Sequence, residues 1–261
     1  MIKVAVVQLW HNDSVSKQDR IAHAEQLIES VAGADLILLP EIWNIGWWSF
    51  DKYHEESETL EGETISRIAA KAKKLNAYIV AGSIIERQGD ALYNTSVLLD
   101  RKGEVAAAYR KMHLVHHMGA REAELLKRGE EIVTIETGLG VLGLSTCYDL
   151  RFPELFRRMA VSHGVEIFLM VSAWPITRLD HWRELCHVRA IENFCYLIAC
   201  DMAGIDHGKQ YLGHSLIVNP SGISIASAGL YETILKSEID IGEVYKAREL
   251  IPAFYDRFLN I

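Results

Sequence analysis

Three side chains of this 261-residue chain have the chemistry of an acyl-transfer site: a thiol, a carboxylate and an ammonium. Cys147 ends the apolar run Val141-Leu-Gly-Leu-Ser-Thr-Cys147 and is followed by Tyr148-Asp-Leu-Arg-Phe-Pro153-Glu154. Such a run, then a turn, then proline at a first helical position, projects a thiol from a strand end. Backbone N–H groups at that turn are placed to lower the thiol pKa and to hold a developing oxyanion. A free cysteine alone is more often an inert core residue, so its company decides. Glu41 closes the buried run Leu38-Leu-Pro-Glu41, and Lys111 closes Tyr109-Arg-Lys111. In isolation Glu41 reads equally well as a loop or capping carboxylate, and Lys111 reads better as a solvated charge. Beside Cys147, the carboxylate can move a proton, the thiol can attack a carbonyl and the ammonium can hold the resulting oxyanion.

The elements that must position these groups follow from the apolar pattern. Runs rich in Val and Ile recur at 2–9, 34–40, 77–86, 92–99, 105–114, 132–136, 139–146, 165–173, 195–202, 214–219, 222–227 and 233–240. Several are continuous rather than alternating, as strands buried on both faces are. Helical spacing appears at 17–32, at 63–76, after Pro153, where Leu155, Phe156 and Met159 share a face, and at 179–194. Hairpins are predicted over 77–99, turning at Gln88-Gly-Asp90, and over 214–227, turning at Asn219-Pro-Ser-Gly222. Strands dominate, so the pattern fits a two-sheet sandwich with helices outside or an open mixed sheet.

Composition narrows the function classes. Hydrophobic residues make up 49% of the chain, enough for a large core, and no linker composition divides it, so one compact domain over 1–261 is expected. A net charge of -8 without a Lys/Arg block gives no footprint for nucleic acid. No apolar segment approaches the roughly 20 residues that span a bilayer, and the start lacks a signal-peptide pattern, so no membrane partner is expected. The four cysteines form no regular framework, which suits a reducing cytoplasm. Cys186, Cys195 and Cys200 lie among apolar neighbours and are expected to pack. His113, His116 and His117 invite a metal reading, but their spacing lacks the helical i,i+4 geometry of common zinc pairs.

Four segments in this order resemble the nitrilase, or carbon–nitrogen hydrolase, superfamily. They are Leu38-Leu-Pro-Glu41, Tyr109-Arg-Lys111-Met-His113-Leu114, Cys147-Tyr-Asp-Leu-Arg-Phe-Pro-Glu154 and Arg189-Ala-Ile-Glu-Asn193. The resemblance runs from Val4 to about Asp240. It implies an α+β fold, a four-layer αββα sandwich, and assembly through a second such unit into a homodimer or higher homo-oligomer. It also implies no metal and no organic cofactor. Ser172-Ala-Trp174-Pro175, Arg178-Leu-Asp-His181-Trp182 and His214-Ser-Leu-Ile-Val-Asn-Pro220 are similar to ω-amidase-type members, which act on 2-oxo acid amides.

By this resemblance Cys147 is the nucleophile, which expels ammonia from a small carboxamide and leaves a thioester for water to cleave. Glu41 is the general base. Lys111 and the backbone N–H of Tyr148 hold the oxyanion. Glu122, seven residues before Gly129, matches a second glutamate that hydrogen-bonds the lysine; Glu124 is its neighbouring competitor. The motif departs from the commoner wording at Lys127-Arg128-Gly129. For substrate binding, Trp174 closes the strand 165–173, and Trp43, Trp47 and Trp48 follow another strand end. Trp47 and Trp48 also fit a packed or interfacial loop. Arg178 is a candidate to grip a substrate carboxylate bidentately, or else a surface ion pair. A nitrilase, an N-carbamoyl amide hydrolase or an aliphatic amidase would share the nucleophile; a non-catalytic metabolite-binding relative would keep the fold alone; zinc-dependent hydrolysis would be lost on chelation. The C-terminal aromatics Phe254, Tyr255 and Phe258 are expected to pack across a subunit interface.

Overall fold

The computed structural model describes residues 1–117 and 119–259. The first part of the chain forms β1 (Ile2–Gln8), β2 (Trp10–Asn12), α1 (Lys17–Glu29), β3 (Leu36–Leu38), α2 (Tyr53–Glu56) and α3 (Glu63–Leu75). Then come β4 (Tyr78–Gln88), β5 (Ala91–Leu99), β6 (Val105–Arg110), α4 (Glu122–Leu125), β7 (Thr134–Thr137) and β8 (Gly140–Thr146). They are followed by α5 (Pro153–Ser162), β9 (Ile167–Ser172), α6 (Leu179–Asn193) and β10 (Tyr196–Asp201). The chain ends with β11 (Ala203–Asp206), β12 (Lys209–Gln210), β13 (Leu216–Val218), β14 (Ser224–Ser227), β15 (Thr233–Ile239) and α7 (Gly242–Leu250).

Two six-stranded sheets form, in the orders β15-β1-β3-β4-β5-β6 and β14-β13-β10-β9-β8-β7. Side-chain parity stacks them. Val4 and Val6 of β1 and Leu169 and Val171 of β9 share one buried cluster, between the sheets. The alternate residues Ala5 and Val7 pack with Ile21, Ile28, Ile65 and Ile68 of α1 and α3. Phe168 and Met170 pack with Phe156 and Met159 of α5 and with Trp182 and Cys186 of α6. Both faces of each central strand are therefore dry, which explains the continuous apolar runs. The sandwich alternative holds, with layers α1/α3, sheet, sheet, α5/α6. Among the described residues no helix is long and apolar enough to cross a membrane.

Helix ends follow local chemistry. Ser16 caps α1 by accepting from the Asp19 N–H at 3.1 Å. Asn76, at φ 52°, ends α3 in the left-handed conformation, so the helix stops one residue short of the predicted 63–76. Pro153 opens α5, where its missing N–H costs nothing. The run 105–114 ends as a strand at Arg110, because the Lys111 N–H turns to the Asn94 carbonyl at 2.8 Å and its own carbonyl accepts from Gly129.

Some elements carry no apolar signal. A small third sheet, β12-β11-β2, includes His11, Asn12 and Asp206, whose polar side chains mask it. The C-terminal segment begins as α7, and Phe254 is buried in the cluster against α5 and α6 of its own chain. Tyr255 and Phe258 are exposed. The last two residues of that tail, Asn260 and Ile261, lie outside the described residues.

Candidate active site

Glu41, Lys111 and Cys147 lie just beyond the ends of β3, β6 and β8, and the two facing sheets bring them together. Glu41 is held by the main chain: its N–H donates to the Ser172 carbonyl, and the Ile42 N–H to the Ser83 carbonyl at 3.0 Å. Ile42 takes φ 43° to make this turn. The turn presses so closely on β4 that a Cβ on Gly82 would lie 2.0 Å from the Pro40 carbonyl oxygen. Beyond β6, Gly129 packs against the strand end in the same way, with a built Cβ only 2.1 Å from the Arg110 carbonyl oxygen. That close approach requires glycine at this position, whatever side chains precede it at Lys127 and Arg128.

Cys147 opens a short 3-10 turn, Cys147–Arg151, and is itself left-handed at φ 50°. A non-glycine residue in that region stores strain of roughly 1–3 kcal/mol, which the surroundings must impose. They do so through Asp149, which is fully buried. Its carboxylate accepts from the Thr146 N–H (2.9 Å), the Tyr109 hydroxyl (2.7 Å) and His113 Nδ1 (2.6 Å). One carboxylate thus ties the turn of Cys147 to the segment that carries Lys111. The capping box uses the N–H groups of Thr146 and Asp149 and does not engage that of Tyr148.

The charged groups form a fully buried cluster. Lys111 Nζ lies 2.9 Å from Glu41 Oε1 and 2.8 and 3.0 Å from the two oxygens of Glu122. Glu122 is reached from α4, and its Oε2 also accepts from the Val115 N–H at 2.8 Å. Glu124 points outward, exposed and paired with Arg121. Asn94, which the motifs did not single out, donates from Nδ2 to Glu41 Oε1 (2.7 Å) and Glu122 Oε1 (2.9 Å).

Burial raises the Glu41 pKa above the ordinary carboxylate value, and the Glu122 charge adds to this, while Lys111 opposes it. For Lys111, burial works against the charged form, but Glu122 and Glu41 outweigh it and hold the ammonium well above its usual range. Cys147 corrects the sequence expectation. Its pKa is pushed well up, not down, by burial and by the Glu41 carboxylate, against the opposing effects of Lys111 and a hydrogen bond from the Ala173 N–H. Turn N–H groups cannot offset a neighbouring anion in a dry site. Cys186, Cys195 and Cys200 are buried, as their apolar neighbours predicted.

Cys147 forms part of the floor of a cavity of about 360 Å³. That lies at the lower end of the roughly 300–1,000 Å³ range for small-molecule sites. Trp47, Trp48, Tyr148 and Trp174 give it aromatic walls, and Arg178, Arg151 and Lys209 supply positive charge. Trp47 is anchored through its N–H to the Tyr211 hydroxyl and through its carbonyl to the Tyr53 hydroxyl. The Trp174 N–H donates to buried Asp201 at 2.8 Å. The Arg151 guanidinium lies 4.6 Å from the Trp174 ring centroid. Burial lowers the Arg151 pKa, and the charge of Arg178 acts in the same direction. Arg151 and Lys209 were missed; Arg151 was legible as the arginine four residues after Cys147, whereas Lys209 arrives on a hairpin with no motif.

Trp43 does not line this cavity. It is buried under β4, where its Nε1 donates to the Ala81 carbonyl at 2.8 Å, because its position two residues past Glu41 turns it into the helix-side core. His113 is occupied by Asp149 and stacks on Phe152. Among the described residues, the side chains close enough to share an ion are instead His11, Asp13 and Asp206. There the Arg20 guanidinium, 3.5 Å from His11 Nε2, already supplies a cation.

Comparison with known proteins gives the family. The carbon-nitrogen hydrolase family model matches residues 3–249. The chain is 34% identical to a 2-oxoglutaramate amidase of Paenarthrobacter nicotinovorans, covering all of this chain and 90% of the relative. It is 37% identical to a 2-oxoglutaramate amidase of Bacillus subtilis, over 91% of each chain. The crystal structure of Saccharomyces cerevisiae Nit3, a member of branch 10 of the nitrilase superfamily, superposes with a TM-score of 0.87 at 32% identity, covering 96% of this chain and 94% of Nit3. The four-layer sandwich, the order of its motifs and these matches make the chain a member of the carbon-nitrogen hydrolase family, a hydrolase of carbon–nitrogen bonds other than peptide bonds.

Proposed function

We propose that the protein hydrolyses the terminal amide of short 2-oxo acid amides such as 2-oxoglutaramate, through a thioester on Cys147. The observation that carries this reading is a buried thiol lining an aromatic cavity that also carries Arg151 and Arg178, together with a fully buried cluster of two carboxylates and an ammonium that, with burial, raises the thiol pKa. Because the thiol pKa is raised, attack requires a base, and Glu41 takes the proton as Sγ bonds to the amide carbon. Lys111 and the Tyr148 N–H receive the oxyanion. Collapse breaks the C–N bond, and Glu41 returns the proton to departing ammonia. Water then attacks the thioester, again losing a proton to Glu41, and the acid leaves as the thiol reforms. Glu122 holds Lys111 in place. Trp174 walls the acyl chain, and Arg178, with Arg151 beside it, receives the distal carboxylate.

The test is ammonia release from a panel of acidic amides, neutral amides and nitriles, with Cys147→Ala alongside. Turnover of 2-oxoglutaramate that disappears in the variant supports the reading. Turnover confined to nitriles or N-carbamoyl compounds overturns the substrate. Arg178→Ala should raise KM for acidic amides by about tenfold or more, the worth of a charge-assisted hydrogen bond, and leave neutral amides little changed. Equal effects on both would sink the carboxylate grip.

We also infer that residues 1–261 act as one catalytic domain in the cytoplasm, where four free thiols persist. A homodimer is supported by Val188 and Ile191, exposed apolar residues on the outer face of α6. Sedimentation of the protein at its monomer mass would contradict it.

A further inference from the structure

We propose that Asn94 is a positioning residue that leaves one particular oxygen of Glu41 free to exchange a proton with Cys147. The inference rests on the proposed role of Glu41 as base. Asn94 lies on β5, fully buried, and does not line the cavity. Its Nδ2 and Lys111 Nζ both donate to Glu41 Oε1 and to Glu122 Oε1, so two donors and two acceptors close a four-membered ring. The backbone carbonyl of the same asparagine accepts the Lys111 N–H at 2.8 Å. An amide nitrogen has two hydrogens, one for each carboxylate, and the two acceptors dictate which way the amide faces. Glu41 Oε1 is thereby taken twice. Oε2 is buried with no hydrogen-bond partner, and the Cys147 thiol is among the groups that act electrostatically on this carboxylate.

A neutral donor is what this place requires. Two carboxylates and one ammonium leave one net negative charge in a dry site. A second cation would neutralise the base, and an apolar side chain would let it protonate. Five titratable groups act electrostatically on or with Glu41: Lys111 after β6, Glu122 on α4, Cys147 after β8, Tyr53 on α2 and Asp201 on β10. Lys111 favours the anion and Glu122 opposes it; Cys147, Tyr53 and Asp201 add negative charge only when ionised. Asn94 supports the anion without adding charge.

The experiment follows alkylation of Cys147 by iodoacetamide as a function of pH, read by peptide mass, in wild type, Asn94→Ala and Asn94→Asp. The acid limb should move up by about one to two pH units, the loss of one charge-assisted hydrogen bond on Glu41. The matching fall in kcat for amide hydrolysis below that midpoint is about tenfold to a hundredfold, with KM little changed. An acid limb at the wild-type position in either folded variant overturns the proposal. If the extra carboxylate prevents folding, Glu122→Gln added to Asn94→Asp restores the charge count, and the shift is read against Glu122→Gln alone. Alkylation needs no turnover, so a wild type inactive on every amide would refute the proposed substrate and leave the role of Asn94 separately decided.

Discussion

Lys111→Met removes the one cation of a buried cluster while nearly keeping its shape. In the native protein its Nζ sits within 3.0 Å of three carboxylate oxygens, and all three side chains are inaccessible to solvent. Two consequences can be separated by pH. Loss of an oxyanion donor lowers kcat/KM by about 10²–10³ on the alkaline plateau, where no titration can restore it. Loss of the positive charge also raises the Glu41 pKa further, since Lys111 is the largest influence offsetting burial and Glu122 there, so activity falls further still below the plateau. Stability has the opposite pH dependence. With its pKa raised above the unfolded value of about 4.3, Glu41 holds a proton that the unfolded chain releases. The variant is therefore least destabilised near the unfolded pKa and loses stability as pH rises through the folded pKa. Breaking a buried pair costs about 3–5 kcal/mol, a deficit that urea titrations should find well above neutrality and find reduced in mild acid. A variant whose kcat/KM stays within a few fold of wild type, or whose deficit grows on acidification, would refute this account of the cluster.

The wild-type pH profile should show an acid limb above the ordinary carboxylate range, because burial and Glu122 both raise Glu41; a limb centred near the model-compound value in kcat/KM would contradict that. Gly82→Ala should cost roughly 1–3 kcal/mol of strain or more, since φ is +71° and the new Cβ meets the Pro40 carbonyl at 2.0 Å. Thermal unfolding and ammonia release should fall together, as that carbonyl immediately precedes Glu41; unchanged activity would show that the turn has slack.

The fold was legible because both faces of its central strands are dry. Continuous Val/Ile runs marked β1, β4, β5, β9 and β10 within a few residues, and helical spacing marked α1, α3, α5 and α6. Glu41, Lys111 and Cys147 were legible because each closes such a run. The polar strands β2, β11 and β12 were not, since their side chains answer to a hydrogen-bonded cluster around Asp206 rather than to a hydrophobic face. Trp43 and Trp47 show the same limit within one loop. Four residues apart, both are buried in the helix-side core, yet only Trp47, tethered by Tyr211, also walls the cavity.

The sequence by itself determined the strands, the helices and the three chemical groups, and left a sandwich and an open mixed sheet as alternatives, since local hydrophobic pattern and strand-end position are properties of short segments. Tertiary structure alone turned Glu124 outward, brought Asn94 and Lys209 to their places and reversed the expected direction of the Cys147 pKa. The physical reason is common to all four. Electrostatics in a dry site depends on which groups meet from distant strands, at separations in sequence from 53 residues, for Asn94 and Glu41, to 106, for Glu41 and Cys147, that no local pattern encodes.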